Sequence, residues 1–149
     1  MPDPHNLQRF LTAQSPVYPQ VLTELRHHHK TTHWIWFIFP QLRGLGSSPT
    51  AQSFALQSLD EAAANLAPPI LGPRLLECTQ LLLPAPNQPA IPIRQILGTP
   101  DDLKFRSCLT LFAQVPATNP LFAQALAVHF HGQPDDLTLN LLHPPHKRP

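Results

Sequence analysis

Charge is scarce in this chain. Only 13% of its 149 residues are Asp, Glu, Lys or Arg, and the formal net charge is +1. The ten Lys and Arg are scattered rather than striped, which argues against an electrostatic footprint for nucleic acid. No basic amphipathic stretch points to a membrane surface either. Long apolar runs are missing too, and none reaches the ~18 to 20 residues needed to cross a bilayer. The opening residues, Met1-Pro-Asp-Pro-His-Asn, contain no basic region followed by an apolar stretch. A secretory signal is therefore not expected, and the cytoplasm is the expected location.

Cysteine is nearly absent. Cys78 and Cys108 match no metal-ligand spacing and lie in strongly apolar surroundings, so they read as buried free thiols rather than a disulfide. Strand signals are scarce, because alternation over several residues appears nowhere clearly. Gly-x-Ser-x-Gly, Walker and His-Glu-x-x-His motifs do not occur. Gly44-Leu45-Gly46 is too short for a dinucleotide fingerprint and has no preceding strand. His27, His28 and His29 are consecutive, and on a helix their side chains would point about 100° apart, so they cannot share one ion. No metal and no cofactor is expected.

Proline is what the chain has in excess: twenty residues, against an average share of ~5%. Many follow a plausible cap or stop, as in Ser48-Pro49, Gly72-Pro73, Thr99-Pro100, Asn119-Pro120 and Gln133-Pro134. The first helical N–H has no intrahelical partner, so a proline there costs nothing, and these prolines mark helix starts. Those between residues 83 and 92 mark a surface loop.

Helical spacing recurs between these marks. Tyr18, Val21, Leu22 and Leu25 follow the i, i+3, i+4, i+7 pattern. Ser58-Leu-Asp-Glu61 is a capping box ahead of Leu59, Ala62, Ala63 and Leu66. Phe105, Cys108, Leu109 and Phe112 form one apolar stripe, and Phe122, Ala125, Leu126 and Phe130 another. Ile93 to Leu97 is a short turn of helix stopped by Gly98. The spacing predicts an all-α fold, a compact single-domain array of about seven to nine short helices. The domain is expected over residues 1–142, with residues 143–149 a flexible tail.

One decapeptide stands apart. Thr32-His-Trp-Ile-Trp-Phe-Ile-Phe-Pro-Gln41 gathers both tryptophans of a chain that is only 7% aromatic. A lone strand would leave its backbone groups unpaired, so the stretch reads as an irregular or short helical segment in the core. Its aromatics can also be read as a pocket wall, because indole faces stack on flat ligands and attract cations. His33 and Gln41, polar residues flanking a greasy run, each need a partner or a ligand.

Taken together, His33-Trp34-x-Trp36-x-x-Phe39-Pro40-Gln41, Gly44-Leu45-Gly46-x-Ser48, Leu71-Gly72-x-Arg74-Leu75 and Gly98-x-Pro100-Asp101-Asp102-x-Lys104 are specific. With Ser107 and Thr110-Leu111-Phe112, they resemble the family called domain of unknown function 1810. The resemblance spans about Leu7 to Leu142 and implies a compact all-α domain, without bringing an established activity. Some members carry the name calpastatin, but nothing in this chain looks like an inhibitory repeat of that kind. The chain departs from the family pattern at His27-His-His-Lys30 and in the proline-rich stretch 83 to 92.

Candidate ligand-binding residues follow: His33, Trp34, Trp36, Gln41, Arg74, Asp101, Lys104 and Arg106. His33 is the candidate for any acid–base catalysis, since imidazole titrates near neutrality. Asp101 and Asp102 suit the positive end of a helix, and Asp102 can pair with Arg106 at i, i+4. Arg74 sits in a first helical turn, where a cation opposes the macrodipole and needs a reason such as Glu77, another acid or an anion. Lys104, in a matched motif, suggests a buried or ligand-facing ammonium. Two functions are expected from this pattern. One is the binding or processing of a small polar or anionic, nucleotide-like metabolite. The alternative is a protein–protein interaction module without catalysis.

Overall fold

The computed structural model describes residues 3–67 and 69–144. Among them it holds ten α-helices and no strand: α1 (Gln8–Gln14), α2 (Tyr18–Arg26), α3 (Ile35–Ile38), α4 (Pro49–Phe54), α5 (Leu59–Leu66), α6 (Leu71–Leu81), α7 (Ile93–Leu97), α8 (Asp101–Ala113), α9 (Leu121–Phe130) and α10 (Asp136–Leu142). The all-α expectation holds. The helix number exceeds seven to nine because the Trp-rich run supplies a four-residue helix of its own, α3. The last five residues of the expected tail, 145–149, lie outside the described residues.

Local chemistry explains where the helices start. The Ser48 hydroxyl accepts the Ala51 N–H ahead of Pro49, and the Ser58 hydroxyl accepts the Glu61 N–H, as their sequences predict. Asp3 reaches across its turn to accept from the Leu7 and Gln8 N–H groups. Pro49 opens α4, Pro100 and Pro120 stand one residue ahead of α8 and α9, and two further starts differ more from the proline reading. Helix α6 begins at Leu71, so Pro73 falls inside the first turn rather than opening it. Helix α10 begins at Asp136, because the Asp135 carboxylate accepts both the N–H and the hydroxyl of Thr138 and draws the start past Pro134. Gly98, at φ +78°, ends α7 in the left-handed region.

Helix α8 is the centre of the molecule. Every residue from Ser107 to Phe112 is buried, so this half of the helix is enclosed all round rather than along one stripe. It packs against α3, α5, α7, α9 and α10. Phe105 meets Phe39 edge-on at 4.7 Å between ring centroids, and Phe112 stacks on Phe122 at 5.6 Å. The Trp-rich run enters this core: Trp34, Ile35, Ile38 and Phe39 are buried, while Trp36 and Phe37 are half-buried. Just past it the chain makes a single parallel bridge, Leu42 to Leu56, through hydrogen bonds from Arg43 N–H to the Leu56 carbonyl and from Leu56 N–H to the Gln41 carbonyl. Both cysteines are buried and free. Burial pushes the Cys78 thiol up to about 12 and raises Cys108 as well, which favours the neutral thiol at both.

Gly72 lies where α5 and α6 meet. A Cβ there would collide with the Leu66 carbonyl, which is backbone and cannot swing aside. Gly72→Ala is expected to lower stability by about 1 to 3 kcal/mol, the range for overpacking. Urea unfolding checks this, and a change within ~0.5 kcal/mol would show that the α5–α6 junction yields easily.

Candidate functional site

The geometry at the Trp-rich run starts from a buried carboxylate on α2. Glu24 is 3% exposed and accepts from Thr31 N–H (2.8 Å), Thr32 N–H (3.0 Å), the Thr32 hydroxyl (2.6 Å), the Gln20 amide (2.9 Å) and the Trp34 indole N–H (3.0 Å). Burial by itself would raise its pKa, but the donors from Thr32, Gln20 and Thr31 outweigh it and hold the group at about 2. The segment between α2 and α3 is thereby tied down, and Trp34 is fixed in the core.

That segment also carries Lys30. Its side chain is only 5% exposed, and its ammonium lies 2.7 Å from Asp101 Oδ2 and 5.0 Å from the centre of the Trp34 ring. Asp101 opens α8 and serves a second lysine. Lys104 Nζ stands 3.9 Å from Asp101 Oδ1 and lies over the Trp36 ring at 5.2 Å, with a quarter of its side chain exposed. One carboxylate therefore faces two ammonium groups, and the deeper lysine holds the shorter contact.

The helix end itself offers little to an anion. The N–H of Asp102 goes to the Gly98 carbonyl, and those of Leu103 and Lys104 go to the Pro100 carbonyl. The positive charge of this corner resides in side chains rather than in free backbone donors. Beside it, a hollow of about 10 Å³ lies among Trp36, Gln41, Leu42 and Phe54, with space for no more than a water. The Trp36 indole N–H is buried and meets no acceptor among the described residues.

Of the sequence-predicted residues, Trp36, Asp101 and Lys104 come together, with Trp34 behind them and Gln41 half-buried beside Trp36. Trp34, 1% exposed, is a core side chain. His33 is exposed at the entrance to α3. Two cations are engaged elsewhere. The Arg74 guanidinium lies over the Tyr18 ring at 4.6 Å and donates to the Gln14 amide oxygen at 3.3 Å, so its partners are neutral groups, whereas Glu77 receives the Tyr18 hydroxyl. Arg106 donates to the Gln133 carbonyl and covers the Phe130 ring, so the expected pair with Asp102 does not form. Asp102 instead accepts the Thr99 hydroxyl. No group of His, Cys, Asp or Glu suited to a metal ion occurs among the described residues.

Two residues at this site escape sequence reasoning. Glu24 had a signal, since it stands three residues after Val21 and next to Leu25, an acid on the inward face of α2. Lys30 had none, because its partner Asp101 is brought to it only by packing.

Comparison with known proteins agrees with this architecture. The conserved hypothetical protein Rv1873 from Mycobacterium tuberculosis, a crystal structure, superposes with a TM-score of 0.88 at 48% sequence identity, over 94% of this chain and 98% of that one. No curated protein matches the chain. No helix among the described residues is long and apolar enough to cross a membrane. The family model described as protein of unknown function (DUF1810) matches residues 4–142, nearly the whole of the folded chain, and the chain belongs to that family.

Proposed function

We propose that this protein binds a small anionic metabolite, through a carboxylate or phosphate held by Lys104 at the corner of α3 and α8. The observation that carries this reading is the shared carboxylate. Asp101 is committed to Lys30 at 2.7 Å, leaving Lys104 at 3.9 Å with a ring face as its other support. An ammonium on an aromatic face and partly open to solvent is under-neutralised, and an incoming anion completes its coordination. The Trp36 edge would set the ligand's apolar side. The reading is one of binding and assigns no reaction.

A thermal-shift screen of nucleotides, sugar phosphates and organic acids tests it, with Lys104→Met as control. A ligand present at a hundred times its Kd adds ~2.7 kcal/mol to stability. The expected result is stabilisation by an anionic compound that Lys104→Met abolishes. Stabilisation that survives in Lys104→Met, or none from any anion, overturns the reading. One observation favours the interaction module instead: Leu137 and Leu141, one turn apart on α10, are 66% and 45% exposed. Capture of a partner by the native chain and not by Leu137→Asp, with an unresponsive screen, would shift the balance to it.

A further inference from the structure

A larger hollow lies away from the Lys104 corner. A cleft of about 670 Å³ opens between the C-terminal ends of α2 and α6 and the proline-rich segment after Leu83. Its size is that of an ordinary small-molecule site, roughly 300 to 1,000 Å³. Leu82 and Ile96 form part of its lining, and both are core residues at 3% and 2% exposure, so the cleft bottoms on the hydrophobic core. Pro84, Pro86 and Pro89 line it from the loop side. A pyrrolidine has no N–H to satisfy and almost no side-chain freedom to lose, so this wall is preorganised for an apolar surface. A turn within the loop, Gln88 N–H to the Ala85 carbonyl, holds it.

The charged side chain in the lining is a cation. Arg26 and His28 line the cleft, and no acid does. The Arg26 side chain makes no hydrogen bond, ion pair or ring contact with the described residues. The acids of the two helices that end here are occupied, since Glu24 holds Thr31, Thr32 and Trp34, and Glu77 receives the Tyr18 hydroxyl. Two helix ends meet here, and their negative poles would oppose an anion. Their carbonyls are largely engaged, however: those of Thr23, Glu24 and Leu25 accept from His27, His29 and His28, and those of Thr79, Gln80 and Leu82 accept from Leu82, Leu83 and the His129 ring. The Arg26 guanidinium is left as the unmatched charge.

We infer that this cleft binds an organic acid, with its carboxylate on Arg26 and its aliphatic or aromatic body against the proline wall. The site is separate from the Lys104 corner and stands whether or not that corner binds a ligand.

Calorimetric titration of the native chain with octanoate, octanamide and acetate tests the assignment. Octanoate is expected to saturate a single site, and acetate, lacking the body, to show no saturation. Arg26→Gln, an exposed position, is expected to weaken octanoate by about tenfold or more while leaving octanamide unchanged, the loss of one charge-assisted contact. Ala85→Glu, which sets a carboxylate in the exposed wall, is expected to abolish octanoate binding, and Lys104→Met to leave it intact. Melting curves confirm that each variant is folded. Octanoate that never saturates, or equal affinity in Arg26→Gln, overturns the inference. So does equal affinity in Ala85→Glu or loss in Lys104→Met.

Discussion

Glu24→Ala is expected to lower stability by roughly 2 to 4 kcal/mol, because hydrogen bonds to a charged group are worth ~1.5 to 3 kcal/mol and a buried donor left unmade costs ~1 to 3 kcal/mol. The Glu24 carboxylate satisfies two backbone N–H groups, a hydroxyl, an amide and the Trp34 indole. Without it, the buried Trp34 N–H loses its acceptor. The same residue predicts a pH dependence. Its folded pKa is about 2, below its ordinary value of 4.5, so its contribution is fully present above pH 4.5 and is lost as pH falls toward 2. Glu24→Gln cannot titrate and should flatten the stability curve across that window. Urea unfolding of native and variant chains between neutral pH and about pH 3 measures both effects. A Glu24→Ala loss under ~1 kcal/mol would mean that the segment between α2 and α3 is held by other contacts.

Arg9→Ala is expected to cost a similar amount, about 3 to 5 kcal/mol. The Arg9 guanidinium is a clamp with five contacts. Its Nε donates to the Ser53 carbonyl, Nη1 to those of His5 and Asn6, and Nη2 to the Ala55 carbonyl and to Glu61 at 2.8 Å. The Glu61 side chain is 3% exposed, and its second oxygen accepts the Gln57 N–H. Removing Arg9 strands that carboxylate in the interior. Arg9→Lys should recover little, because a point ammonium cannot span donors set out in a fork. Glu61→Gln in the Arg9→Ala background should recover part of the loss, since a neutral amide tolerates burial better. Equal stability of Arg9→Ala and the native chain in urea would show that the N-terminal turn and the α4–α5 junction need no such clamp.

Much of the fold was legible in the chain, because the signals involved are local. The Ser48 and Ser58 hydroxyls cap the helices they precede, and Gly98 ends the one before it. Apolar spacing identified α2, α5, α8 and α9 before any packing was known. At α10 a neighbouring cap won over the proline. Asp135 captured Thr138 and moved the start of α10 beyond Pro134. The stripe assigned to α8 was too narrow, because periodicity marks one apolar face and cannot show that Ser107, Thr110 and Leu111 are also covered.

The candidate site was legible only in part. Lys104 and Asp101 sit three residues apart on one helix, so their proximity follows from the sequence. That Trp36 lies under Lys104 does not follow, nor that Lys30 takes the nearer oxygen of Asp101. Arg74 and Arg106 looked equally available and are spent on Gln14 with Tyr18 and on Gln133 with Phe130.

By itself, then, the order of residues determined the helical class, the starts of several helices and the inward burial of the Trp-rich run. Capping, propensity and amphipathic spacing act within a few residues. Which charges share a carboxylate, which cation lies on which ring, and where a cleft remains open were decided by the packing of helices far apart in the chain. Such pairings leave no period in the sequence, because they depend on the relative placement of whole elements around α8.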